Sequence, residues 1–215
     1  LQGFGHINKE DFFREITVRI CSSLDIAKAL HRCFLFLNDI MPVDKLVLLT
    51  YEGQIGILNI EAVADYENGY SKDIKIPLLP VLQDELETAW DLSRVRYMKD
   101  ISKDPFISTI ADILDFTDLQ AIVTRFIIEG RYIGAFVVVL KTHIQDATEY
   151  LELLESINEP VAIALNNCKQ FKEISMLKNL LAEERRYLQH ELNERVKVEV
   201  IGADFGLRKV MERVN

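Results

Sequence analysis

The chain has 215 residues, 49% of them hydrophobic and 27% charged, which is enough apolar material for one sizeable core and a helical appendage. A net charge of −9 argues against a surface that grips the phosphates of nucleic acid, and no apolar run approaches the roughly 20 residues of a membrane helix. Three widely spaced cysteines, Cys21, Cys33 and Cys168, argue against a disulfide framework and fit a reducing compartment. Leu1 to Glu10 has no basic flank followed by an apolar stretch, so it does not read as a signal peptide. With no initiator Met at its start, the chain is expected to be a cytoplasmic piece of a longer protein.

Asn8 followed by Asp11 reads as a helix start, with Phe12, Ile16 and Ile20 at helical spacing behind it. Asp25 caps a second helix, whose apolar face carries Ala27, Leu30, Phe34, Leu37 and Met41 and which Pro42 closes. The period then changes. Leu46 to Tyr51 and Ile55 to Ala64 read as strands around Glu52-Gly53. Asp65 to Asp73 is polar and reads as a loop. Ile74, Ile76 and Leu78 alternate with Lys75 and Pro77, and the proline places this strand at an edge or ends it.

A short amphipathic helix carries Leu82, Leu86 and Trp90. Val95 to Lys99 reads as a short strand and Phe106 to Leu114 as a helix. The strongest strand signal is Ala121 to Ile128 and Tyr132 to Leu140, a hairpin around Glu129-Gly130-Arg131. The continuous apolar character of Phe136 to Leu140 predicts a central strand covered on both faces. Asp146 with Glu149 has the spacing of a capping box, and a long helical pattern follows. Its first seam is Leu151, Leu154, Val161, Leu165 and Cys168. Its second, after a slip near Phe171, is Ile174, Leu177, Leu181 and Leu188, interrupted by Glu184. Pro160 predicts a kink near Ser156. The order of elements predicts an α+β fold: a central antiparallel sheet flanked by helices, with a long C-terminal helix.

This order resembles a GAF domain over roughly residues 8 to 170. The local match is Arg125-Phe126-Ile127-Ile128-Glu129-Gly130-Arg131-Tyr132-Ile133-Gly134-Ala135-Phe136. GAF domains often show a Pro-Leu pair, a turn glycine and a second glycine early in the next strand. Gly130 and Gly134 stand at those two places, while Arg125 stands where proline is usual. The stretch Ile174 to Leu192 is similar to the linker of sigma-54-dependent activators with amino-terminal GAF domains. Val200 to Met211 is similar to the opening of their AAA+ ATPase domain. The resemblance divides the chain into a GAF sensor domain at 1–168, a coiled-coil linker helix at 169–195 and the leading edge of an AAA+ domain at 196–215.

In that family the apolar-glycine element lies near the adenine, so the resemblance implies that Val200, Ile201 and Gly202 border a nucleotide in the full-length protein, with ATP and Mg as its cofactors. No Gly-x-x-x-x-Gly-Lys-Ser/Thr loop is present, so the 215 residues are not expected to be an ATPase or to hold a cofactor. Sigma-54 RNA polymerase and DNA would be partners only through domains outside this sequence. No membrane partner is expected.

The resemblance also implies a pocket for a small-molecule effector between one sheet face and the connecting helices. Tyr51, Trp90, Tyr97, Arg125 and Phe126 are the candidate lining residues, within a neighbourhood that includes Leu58, Ile60 and Phe106. Arg125 is the one whose guanidinium could fork onto a ligand carboxylate. The plainer expectation, and the one favoured, is that Arg125 faces solvent and pairs with a surface acid. The four histidines lack a second ligand at metal spacing, so no metal is expected. Some GAF sensors of this activator family hold a non-haem iron on Asp, Tyr and Cys, but no cysteine lies between Lys45 and Leu140. All three cysteines are expected to be buried apolar residues, which leaves a methionine sulfoxide reductase as a minor alternative. The second seam, Ile174, Leu177, Leu181 and Leu188, is expected to pair with a second copy. A ligand-free dimerisation module is the main competing reading.

Overall fold

A computed structural model describes residues 7–88, 94–117, 119–128 and 130–198, without the side chains of 88, 128 and 194–198. The chain divides into two compact units, residues 1–168 and 169–215. Val200, Ile201, Gly202 and Trp90 lie outside the described residues.

The first unit opens with α1 (Lys9–Cys21) and α2 (Ile26–Ile40). The side chains of Asn8 and Asp25 cap them, accepting from the N–H groups of Asp11 and Lys28. Strands β1 (Val43–Glu52) and β2 (Ile57–Ala64) follow, then the two-residue β3 (Gly69–Tyr70) and β4 (Ile74–Pro77). Next come α3 (Pro80–Thr88), β5 (Val95–Met98), α4 (Pro105–Leu114) and the hairpin of β6 (Gln120–Ile128) and β7 (Arg131–Leu140). The unit ends with α5 (Thr148–Ser156) and the start of α6 (Asn158–Val198).

Among the described residues the strands form one sheet in the order β3-β2-β1-β7-β6-β5, with β4 also paired to β2. Every pairing is antiparallel. β4 pairs only with β2 and stops at Pro77, where the missing N–H would otherwise break the ladder. The loop expected over Asp65 to Asp73 contains β3, too short to show a period. Gly69 is required there, because a Cβ would lie 2.2 Å from the Ala27 carbonyl oxygen of α2.

Two cores lie on opposite faces of the sheet. One packs α1, α2, α5 and the start of α6 against Leu46, Leu48, Ala62, Ile122, Phe126, Phe136 and Val138. The other packs α4 against Val47, Leu49, Leu58, Ile60, Val123, Ala135 and Val137. β7 feeds both, as its continuous apolar run requires.

Two β-bulges decide which side chains reach the second face. In β2, Ala62 pairs with Leu48 and Ile60 with Leu49, so Glu61 is the extra residue. In β7, Gly134 pairs with Phe126 and Tyr132 with Ile127, so Ile133 is the extra residue. An extra residue reverses the alternation of everything beyond it. Leu58 and Ile60 are thereby turned to the second core, although Ala62 and Ala64 face the first. Likewise Tyr132 packs against the second core and Ile133 against the first.

The kink expected near Ser156 is a full break. Ile157 separates α5 from α6, and Pro160 sits in the first turn of α6, where its missing donor costs nothing. The N-cap of α5 falls on Ala147, so Asp146 and Glu149, though correctly spaced, do not occupy the capping-box positions. Asp146 instead accepts from the Thr148 N–H and hydroxyl. In the second unit, α6 exposes Ile174, Leu177, Leu181 and Leu188, each at half or more of its surface.

Candidate ligand-binding site

Alternation along β6 sends Val123 and Arg125 to the second face and Ile122 and Phe126 to the first. Arg96 and Met98 of β5, Leu49 of β1, Leu58 of β2 and Ala135 of β7 point the same way as Arg125. Leu86 of α3 and Phe106, Ile107 and Ile110 of α4 close over them, around a cavity of about 60 Å³. α4 is held there by Asp104, whose carboxylate accepts from the N–H groups of Phe106 and Ile107 at 3.0 Å each, with Pro105 opening the helix.

Arg125 is 8% exposed. Burying a guanidinium is costly unless its hydrogens and charge are matched. Its Nη2 donates to the Leu86 carbonyl at 3.2 Å, in the last turn of α3, where the helix carries partial negative charge. The guanidinium also lies 5.4 Å from the centre of the Tyr132 ring, within cation–π range. Burial pushes the Tyr132 phenol well above its usual range, against the opposing pull of Arg125.

Tyr132 also walls a second, outer crevice of about 440 Å³, lined by Tyr51, Gly53, Gln54, Glu87, Gly130, Arg131 and Ile133. The rings of Tyr51 and Tyr132 are 5.7 Å apart. The Tyr51 hydroxyl donates to Glu87 Oε1 at 3.1 Å. Burial, then the bond to Glu87 and its charge, push the Tyr51 phenol up to about 12.

The structure separates the residues proposed from the sequence. Arg125 is in the cavity wall, which corrects the favoured expectation of a solvent-facing arginine. Tyr51 lies on the same face but lines the outer crevice. Phe126 and Tyr97 are on the opposite face, against the helical core, and do not reach the cavity. Phe126 follows Arg125 directly on a strand, so the two side chains must point apart. The Tyr97 hydroxyl donates to the Ile144 carbonyl at 2.6 Å, beside the Gln120 amide, and ties a loop to the first face. Cys33 and Cys168 are buried as expected, and burial pushes the Cys33 thiol up to about 12. Cys21 is exposed, contrary to expectation, because it ends α1.

Tyr132, Glu85, Arg96, Met98 and Asp104 line the cavity without having been expected there from the sequence. Met98 and Arg96 were recoverable, since alternation from Val95 on a short strand offers only two faces. Tyr132 was not, because nothing in its neighbours announces the bulge at Ile133. None of the described residues lining the cavity is a cysteine, and among the described residues no three His, Cys, Asp or Glu side chains group to hold a metal.

No family model matches the sequence, and no curated protein does. Solved structures do resemble the fold. The phycoerythrobilin-bound GAF domain of a cyanobacterial phytochrome is 17% identical over 76% of this chain and 97% of its own, with a TM-score of 0.53. The nlh2 GAF domain of A. aeolicus in an inactive state is 12% identical over 74% and 95%, with a TM-score of 0.52. Residues 122 to 287 of a methyl-accepting chemotaxis protein are 17% identical over 74% and 99%, with a TM-score of 0.50. The antiparallel sheet with helices on both faces and a long C-terminal helix is thus a GAF-domain fold.

Proposed function

We propose that this chain is a non-enzymatic sensor module that binds a small anionic effector between its sheet and helices α3 and α4. The observation that carries the reading is the buried Arg125 guanidinium in the wall of a mostly apolar cavity, which Glu85, Arg96 and Asp104 also line. An arginine placed so presents a planar fork suited to a carboxylate, in surroundings that strengthen the pairing. The phytochrome relative is described as bilin-bound, but a cavity of about 60 Å³ holds nothing of that size. The same small volume supports the second reading, a module that binds no ligand and serves only in dimerisation.

Two further parts of the proposal concern the parent protein. The resemblance of Ile174–Leu192 and Val200–Met211 to sigma-54-dependent activators supports placing the module ahead of an AAA+ ATPase in a cytoplasmic transcription regulator. A phosphate-binding Gly-x-x-x-x-Gly-Lys-Ser/Thr loop following Asn215 in the full reading frame is required; another kind of domain there ends that assignment. The exposed Ile174, Leu181 and Leu188 recur every seven residues, which supports pairing with a second copy of the same helix.

The sensor reading is tested by thermal shift with a library of small acids, alcohols and amines on the full chain. An effector at 100 times its Kd adds about 2.7 kcal/mol of stability. Acids that raise the melting temperature of the unaltered chain, and cease to do so in Arg125→Gln, are expected. A library-wide lack of response favours the ligand-free reading.

A further inference from the structure

The cavity over Arg125 and the crevice outside it share one described wall residue, Tyr132. The inner space, about 60 Å³, is well below the roughly 150 Å³ of an apolar protein cavity that admits benzene. The outer space is about 440 Å³. Joined, the two fall within the roughly 300–1,000 Å³ of ordinary small-molecule sites. What divides them is a phenol ring resting over a buried guanidinium.

That ring is there through an irregularity. A regular β7 would turn Tyr132 toward the helical core; the extra residue Ile133 turns it over instead. It lies at the end of the sheet, beyond the last β1–β7 pair, Thr50 with Gly134. It is therefore held by side-chain contacts with Tyr51 and Arg125 more than by a neighbouring strand on the β1 side. Rotating it about χ1 needs no change in the ladder between β1 and β7.

Resting on the sensor reading above, we propose that Tyr132 is an internal placeholder in a two-compartment site, and that the ligand is an aromatic carboxylate whose ring and acid displace it from Arg125. The acid forks onto the guanidinium. The aromatic ring takes apolar space bounded by Phe106 and Ile110, and the Tyr132 ring swings into the outer crevice. An aromatic ligand replaces ring contacts with ring contacts, and its charge adds what the phenol lacks. Two acids, Glu85 and Asp104, also line the cavity, and Asp104 accepts from the N–H groups of Phe106 and Ile107. A cationic ligand would forgo the charge term and a purely aliphatic one the ring term.

The probe is benzoate, titrated calorimetrically into the full chain and its variants. A protein whose open form is a minor state binds more weakly by the fraction open. Tyr132→Ala removes the placeholder, and benzoate affinity is expected to rise about tenfold. Tyr132→Phe keeps the ring and should bind as the unaltered chain does. Tyr132→Trp, which fills more of the divide and tests the idea even if the alanine variant folds poorly, should weaken binding. Adding Arg125→Gln to Tyr132→Ala should abolish the gain.

Equal affinity in the unaltered, alanine and tryptophan chains overturns the placeholder, and so does a gain that survives loss of Arg125. Acids that stabilise the chain through Arg125 while the Tyr132 variants all behave alike would leave the sensor reading standing and remove only this one. Absence of any response to acids, benzoate included, removes both.

Discussion

A buried arginine has to be accounted for group by group. Arg125 meets a helix carbonyl and a ring face in a low-dielectric surround, and these contribute to holding it at the cavity wall. Gly134 sets the spacing beside it, since a Cβ there would stand 2.1 Å from the Leu49 carbonyl oxygen. Tyr51 gives this corner a pH signature. Its folded-state value of about 12 exceeds the roughly 10 of an unfolded tyrosine, so its contribution to stability is intact below about pH 10 and is lost as pH rises toward 12. Denaturant titrations at pH 9 and pH 11.5 should therefore show a smaller loss of stability for Tyr51→Phe than for the unaltered chain. An equal loss would mean the phenol is not held as described.

Among elements, the helices and the hairpin were readable because each carries its period in its own residues. Asn8 and Asp25 cap where expected, and Phe12, Ile16 and Ile20 are all buried. The bulges in β2 and β7 were not readable. They arise from pairing between strands far apart in sequence, and a single extra residue leaves no local mark. That is why Tyr132 was not expected in the site, whereas Phe126 could have been set aside, since alternation alone turns it away from Arg125. The break at Ile157 was half legible: Pro160 announced an interruption, while the buried Asn158, whose amide donates to the Arg125 carbonyl at 2.9 Å, fixes the start of α6 to the strand of the site. This bond gives the site a direct link to the first turn of α6. Further along, the exposed seam predicts self-association. Leu181→Asp should convert a dimer to a monomer in sedimentation at micromolar concentration while leaving the thermal response to acids in place. A monomeric unaltered chain would count against the seam.

At the scale of the molecule, the fold has one face closed by four helical segments and another whose apolar packing encloses a small space with charged side chains, Arg125 among them, in its wall. The cavity over Arg125 lies on the second. The ligand must bind two states differently to shift anything, and a Tyr132 ring that is either on or off the guanidinium supplies two such states. Composition and element order were enough to anticipate the α+β architecture, because the sum of local periods determines the layers. They were not enough for the site, where the deciding facts are which way Arg125 and Tyr132 point.

The most direct test is the Arg125 Nε–Hε resonance in proton–nitrogen spectra of the full chain, assigned with Arg125→Gln and followed through a benzoate titration. This resonance is expected to move progressively and to saturate with the calorimetric Kd, together with the ring signals of Tyr132. An Arg125 resonance that stays fixed throughout the titration would contradict this expectation.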